Sequence, residues 1–230
     1  MYLSIIIPTL NEADNLQRLL PHLQRHLPAG QGEILVVDAG SQDDTLAVAQ
    51  DLGAKALLAP ERGRACQMNY GVRQAHGDVL YFVHADTLPP ASFFADIEAA
   101  LAQGAEVGSY RSSFDIDHPM LRINAYMTRY DRLFCRGGDQ SIFSTRQFFD
   151  SVGGYRPDYR IMEDFDFIQK ARKRGVFHIF PKDILISARK YDHNSYLRVN
   201  LANLAIVLMY LCGASQQRMV NAYQWMLDYR

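Results

Sequence analysis

The stretch Val79-Leu80-Tyr81-Phe82-Val83-His84-Ala85-Asp86-Thr87 limits what this chain can fold into more than any other. An unbroken apolar run between Gly77-Asp78 and Pro89-Pro90 reads as a strand buried on both faces. Its polar end carries His84 and Asp86, and in an open α/β sheet ligands sit beyond the carboxyl ends of such strands. Residues two apart on an extended strand share a face, so the imidazole and the carboxylate converge on one ion if the chain stays extended there. The same residues also read as a strand end followed by an Asp that caps a turn.

The flanking sequence supplies the rest of a sheet. Leu3-Ser4-Ile5-Ile6-Ile7-Pro8 and Glu33-Ile34-Leu35-Val36-Val37-Asp38 are further buried strands, and Ala56 to Leu58 is a short one. Between them Leu16, Leu19, Leu20, Leu23 and Leu27 recur at helical spacing, and helices are predicted over Asp43–Leu52, Ala65–His76 and Ser92–Ala102. Strand and helix in alternation start a parallel sheet. The alternation then fades. Gly108–Ile116 has the period of an edge or antiparallel strand, and Met120–Leu133 and Glu163–Arg174 read as helices. Val176–Phe180 and Ile184–Ile186 read as short strands. Leu201–Cys212 is apolar except for Asn203 and too short to span a bilayer; a last amphipathic helix follows over Gln216–Leu227. The expectation is an α/β, Rossmann-like mixed sheet flanked by helices over residues 1–190. A helical C-terminal extension, 191–230, packs on the domain, a partner subunit in a homodimer, or a membrane surface.

Composition removes several function classes. Lys plus Arg number 24 against 25 Asp plus Glu, so no global basic field attracts nucleic acid. Three scattered cysteines form neither a disulfide framework nor a zinc site and suit a reducing compartment. The N-terminus shows no signal peptide, so a cytoplasmic location is expected, with peripheral contact at the inner face of the membrane through the extension as the variant of it. GxGxxG is absent after the first strand, where Pro8-Thr9-Leu10-Asn11-Glu12 stands, and neither GxxxxGK[ST] nor GxSxG occurs.

Acids mark the ends of the apolar runs: Asp38, Asp86, and Glu163-Asp164 at the start of a helix. Singly they read as a turn former, a cap and a dipole-compensating pair. Together they suit a hard cation held partly by a diphosphate, and a carboxylate that takes a hydroxyl proton. The series Ile5-Ile6-Ile7-Pro8-Thr9-Leu10-Asn11-Glu12, Val36-Val37-Asp38-Ala39-Gly40-Ser41-Gln42-Asp43-Asp44-Thr45, His84-Ala85-Asp86 and Glu163-Asp164 resembles the family 2 inverting glycosyltransferases of GT-A fold over roughly residues 3 to 190. Gly63-Arg64-Ala65-Cys66-Gln67-Met68-Asn69 and Gly138-Asp139-Gln140 resemble a small bacterial subgroup whose substrates the resemblance does not supply.

The resemblance implies a nucleotide-sugar donor, usually a UDP-sugar, and an acceptor hydroxyl on a glycan, a lipid-linked carrier or a small molecule. Pro8, Asn11 and Glu12 then line the nucleotide pocket, and Asp38 binds the base. Asp86 matches the last acid of the metal-binding D-x-D, with His84 in place of the first; imidazole suits Mn2+ better than Mg2+. Asp164 matches the general base, and Glu163 positions the acceptor or caps. Asp139 and Gln140 fall on the acceptor side. Arg62 and Arg64 suit a diphosphate by their guanidinium forks. His193, with Arg189 and Lys190, is a further candidate for the metal or diphosphate. At a helix N-terminus Asp164 is expected to have a lowered pKa. The QxxRW of processive synthases is missing. A sugar-phosphate nucleotidyltransferase and a non-catalytic nucleotide-sugar sensor stay open as alternatives.

Overall fold

In the computed structural model, which describes residues 1–132, 135–136, 138–174 and 177–227, strand β1 (Leu3–Thr9) is buried along its whole length. Ile5 and Ile7 face one layer of helices and Ile6 the other. A strand covered on both faces needs apolar residues at every position, which is why it reads as a run and not as an alternation. β2 (Gly32–Asp38) lies parallel to β1 on one side and β4 (Val79–Phe82) parallel on the other; β3 (Lys55–Leu58) continues outward from β2. Helices α1 (Ala13–His26), α2 (Thr45–Asp51) and α3 (Arg64–Gln74) make the connections.

Beyond β4 the sheet becomes mixed. β7 (Ile142–Thr145) runs antiparallel between β4 and β6 (Val107–Phe114), β8 (Phe177–Ile186) runs parallel to β6, and the two-residue β5 (Thr87–Leu88) pairs antiparallel with β8. The order is β3-β2-β1-β4-β7-β6-β8-β5. Leucines of α1 and the aromatic start of α4 (Phe93–Ala102) fill one face. The other is filled from α3, α6 (Arg146–Ser151) and α7 (Glu163–Lys173). This is the expected mixed α/β sheet with helices on both sides.

Two elements differ from expectation. The two short strands near the end of the domain are one strand, β8, with a register irregularity opposite Ser109 and Arg111. The polar Pro181-Lys182-Asp183 that seemed to divide it is spanned by Arg111, whose Nε donates to Asp183 Oδ1 at 3.0 Å; a bulge admits a proline inside a ladder. The helix expected from Met120 is α5 (Pro119–Met127) and stops early. Arg136 donates to the carbonyls of Thr128 and Tyr130, which are thereby lost to a continuing helix. Gly137, Leu133, Val176 and residues 228–230, on which parts of the expectations fell, lie outside the described residues.

The extension forms α8 (Tyr196–Leu211) and α9 (Gln216–Met226). Val199 and Ala202 of α8 pack with Leu121, Ala188, Tyr191 and Leu227. Among the described residues no helix is long and apolar enough to cross a membrane.

Candidate active site

The carboxyl ends of β1, β2 and β4 open on one side of the sheet. At the end of β2, Asp38 is fully buried and holds the following loop. Its Oδ1 accepts from Gly40 N (2.8 Å) and Ser41 N (2.7 Å), and its Oδ2 from Thr9 Oγ1 (3.1 Å) and the Ser41 hydroxyl. Gly40 has φ +87, a backbone that a side chain would strain, and the Arg62 guanidinium lies over it. Asn11, with φ +55, closes the same loop: its N–H donates to Ser41 Oγ at 2.8 Å and its Oδ1 accepts from Gln42 N at 2.8 Å. Glu12 follows, ion-paired with Arg189.

The Arg64–Asn69 motif does three jobs from one helix. Gln67 is buried, and its amide donates to Thr9 O (2.8 Å) and Val37 O (2.7 Å), tying the ends of β1 and β2 together. Asn69 exchanges hydrogen bonds with the backbone of Tyr155, at 2.7 and 3.1 Å. Arg64, at the first turn of α3, places Nε 2.7 Å from Glu163 Oε1. Gln67, Asn69 and Tyr155 were given no role from sequence, although the motif that carries the first two was visible there.

His84 and Asp86 are separated by a turn and face different partners. The strand ends at Phe82, and Thr87 donates from both its N–H (3.1 Å) and its hydroxyl (2.8 Å) to His84 O, closing a turn. The two-residue alternation is lost in that turn. His84 Nε2 instead faces Asp164 Oδ2 at 3.8 Å, and Asp86 Oδ2 faces Arg189 Nη2 at 3.7 Å. Asp139 sits 4.0 Å from Lys190 on the same side. The result is a cleft edged by acids (Asp86, Asp139, Glu163, Asp164) and by cations (Arg64, Arg189, Lys190).

Glu163 and Asp164 open α7 after Met162, whose φ is +68, and are only 1 % and 6 % exposed. Glu163 Oε2 is buried and accepts no hydrogen bond among the described residues. The lowered pKa expected for Asp164 is corrected: burial, then the neighbouring Glu163 charge, push its carboxyl well up, against the pull of Arg64. The helix N-terminus does not outweigh that desolvation. Burial, helped by Arg64, pushes the His84 imidazole down. Asp86 is raised by burial, with Arg189 opposing and Asp139 adding. Burial works against the Lys190 charge, but Asp139 holds the ammonium above its usual range.

Three other expectations change. Asp38, expected to meet the base, has both oxygens engaged by the loop that follows it. Gln140 is buried, accepting from Arg136 Nη1 (2.9 Å) and donating to Cys135 O (2.8 Å), so its amide is engaged within the protein. His193 is exposed after the turn Arg189–Tyr191, and no hydrogen bond or ion pair among the described residues joins it to the cleft. Among the described residues no three His, Cys, Asp or Glu side chains form a metal cage.

The mixed eight-stranded sheet flanked by helices matches the GT-A fold. The profile of the Glycosyl transferase family 2 matches residues 4–186, and the chain belongs to that family. A Mycobacterium bovis PGL/p-HBAD biosynthesis glycosyltransferase is 33% identical over 178 residues, 71% of this chain and 67% of that one. Among solved structures, S. aureus TarS in complex with UDP superposes with a TM-score of 0.66 at 19% identity, covering 91% of this chain and 66% of that chain. A Pyrobaculum calidifontis mannosyltransferase with GDP-Man and Mn2+ gives 0.69 at 19%, covering 97% and 69%. The present chain thus spans about two thirds of the length of these proteins.

Proposed function

We propose that this protein transfers a sugar from a nucleoside-diphosphate sugar, a UDP-sugar first among the candidates, to an acceptor hydroxyl with inversion at the anomeric carbon. The observation that carries the reading is Asp164, a buried carboxylate facing His84 in the cleft at the ends of the nucleotide-side strands. In the ionised form that it reaches as pH rises through its raised value, Asp164 takes the proton of the acceptor O–H as the acceptor oxygen bonds to the anomeric carbon. The bond from that carbon to the diphosphate oxygen breaks, and its electron pair leaves with the diphosphate. One in-line displacement inverts the centre. Solved relatives with UDP, or with GDP-Man and Mn2+, support a nucleotide donor.

Each residue then has a task. The Asn11–Ser41 loop, shaped by Asp38, meets the base. Arg64, Arg189 and Lys190 face the diphosphate charge. Glu163 Oε2, buried and without a hydrogen bond among the described residues, accepts from a substrate hydroxyl. Asp86 fits a divalent ion chemically, because its raised carboxyl beside Asp139 gains from a nearby cation and a hard ion takes oxygen ligands. Such an ion, held by Asp86, would lower the charge on the leaving diphosphate.

A panel of UDP- and GDP-sugars, each with Mn2+ or Mg2+, tests the reading by release of nucleoside diphosphate, and NMR of any transferred sugar reads its anomeric configuration. Release from one donor with an inverted product is expected. Binding of every donor without release would instead favour a sensor, and pyrophosphate-dependent formation of UTP a nucleotidyltransferase.

A further inference from the structure

The C-terminal pair of helices leaves one face of α8 uncovered. Its inner face, Val199, Ala202 and Ile206, is buried. Half a turn away stand Leu197, Leu201, Leu204, Leu208 and Leu211, each 52–60 % exposed. Of the thirteen large exposed apolar side chains among the described residues, ten lie between 123 and 130 or between 197 and 225, so the apolar surface of the molecule is concentrated here. Monomers rarely leave a continuous patch of this kind without a use for it.

We propose that the outer face of α8 is the contact between two copies of this chain, packed helix against helix about a two-fold axis. The intervals along the stripe are 4, 3, 4 and 3 residues, a strict 3.5-residue repeat made of one residue type. A facing helix demands that spacing, because alternate knobs must enter its holes. A lipid surface accepts a broad apolar face and imposes no such register. A helix resting on lipid also carries basic residues along its opposite side. On α8 that side is buried in the protein, and its single charged residue is Arg198. Residues 196–227 contain no Asp or Glu, and such depletion of charge marks the centre of a self-interface.

The area is adequate for a pair. Five half-exposed leucines offer on the order of 400–500 Å² of apolar surface per copy. Next to α8 lies α5, joined to it by Asn124 Nδ2 donating to Asn200 Oδ1 at 2.9 Å and by His118 stacked on Tyr196. Its exposed Ile123 and Tyr126 carry the total towards the roughly 800 Å² per partner of a standard interface. A two-fold pairing sets the same stripe against itself, apolar to apolar, and closes without further assembly.

Sedimentation equilibrium of the full chain across a micromolar concentration series decides the matter. The wild type should run at twice the mass of one chain. Leu204→Glu with Leu208→Glu should run as a monomer with an unchanged circular dichroism spectrum, the pair weakened at least roughly a hundredfold. Leu201→Ala with Leu208→Ala, which keeps helix propensity, should shift the equilibrium in the same direction and decides if the glutamate pair fails to fold. A wild type that stays monomeric overturns the proposal. So does a dimer that both variants leave intact. A monomer that pellets with phosphatidylglycerol vesicles would assign the stripe to lipid instead. None of these outcomes depends on nucleotide binding or transfer.

Discussion

Asp164 shows how far burial moves a single group. Its carboxyl is raised above its unfolded value, so between the two values the native state holds a proton that the unfolded chain has released. Stability then falls as pH rises across that window and is lost above the folded value. His84 runs the other way, because its folded value is depressed: it adds stability as pH rises through about 6.5, the value of the unfolded chain, and is neutral in both states only about a unit above that. Comparing thermal unfolding of the wild type with that of Asp164→Asn across this range subtracts the His84 contribution and leaves that of Asp164. Wild-type Tm should drop with pH relative to Asp164→Asn, by about 2–4 °C for each kcal/mol of linkage. Parallel curves for the two proteins would mean that Asp164 is already ionised in the native state at neutral pH.

At the scale of elements, α9 reaches the turn that precedes the proposed catalytic pair, Glu163 and Asp164. Gln216 Oε1 accepts from Arg160 N at 3.1 Å and Ile161 N at 3.3 Å, in the loop that leads through the left-handed Met162 into Glu163. Gln216→Ala removes both acceptor contacts, each worth about 1 kcal/mol. It should slow transfer roughly tenfold with nucleotide affinity kept, whereas Gln216→Glu, which retains an accepting oxygen, should restore the rate. Equal rates in all three proteins would remove α9 from the site. Sequence carried β1, β2 and β4 because burial on both faces writes itself as continuous apolar residues. It also marked Asp86 and Glu163-Asp164 as candidates. It did not show the turn at His84, which depends on the Thr87 hydroxyl, nor the fate of Gln140, which Arg136 claims. Nor did it show the surroundings of Glu163 and Asp164, because Arg64, which pairs with Glu163, and His84, which faces Asp164, lie far away in the chain. β8 looked divided because Arg111, 72 residues from Asp183, carries the pairing past Pro181.

Over the whole molecule the sheet divides the work. The parallel half, β3-β2-β1-β4, ends in the Asp38 and Asn11 loops, the proposed nucleotide side. The mixed half brings Asp139 and α7, with Asp164 as the proposed proton acceptor, to the same cleft. Gln67 fixes the first half internally, and Arg64 ties it to the second through Glu163. Binding and chemistry should therefore separate by mutation. The most direct test measures, on the wild type and on Asp164→Asn, both the dissociation constant for the nucleoside diphosphate and the rate of its release from the donor sugar. The account predicts a dissociation constant within a few-fold of wild type and a rate at least roughly a hundredfold lower, the lower end of what general-base catalysis supplies. An Asp164→Asn protein that transfers at the wild-type rate would contradict it.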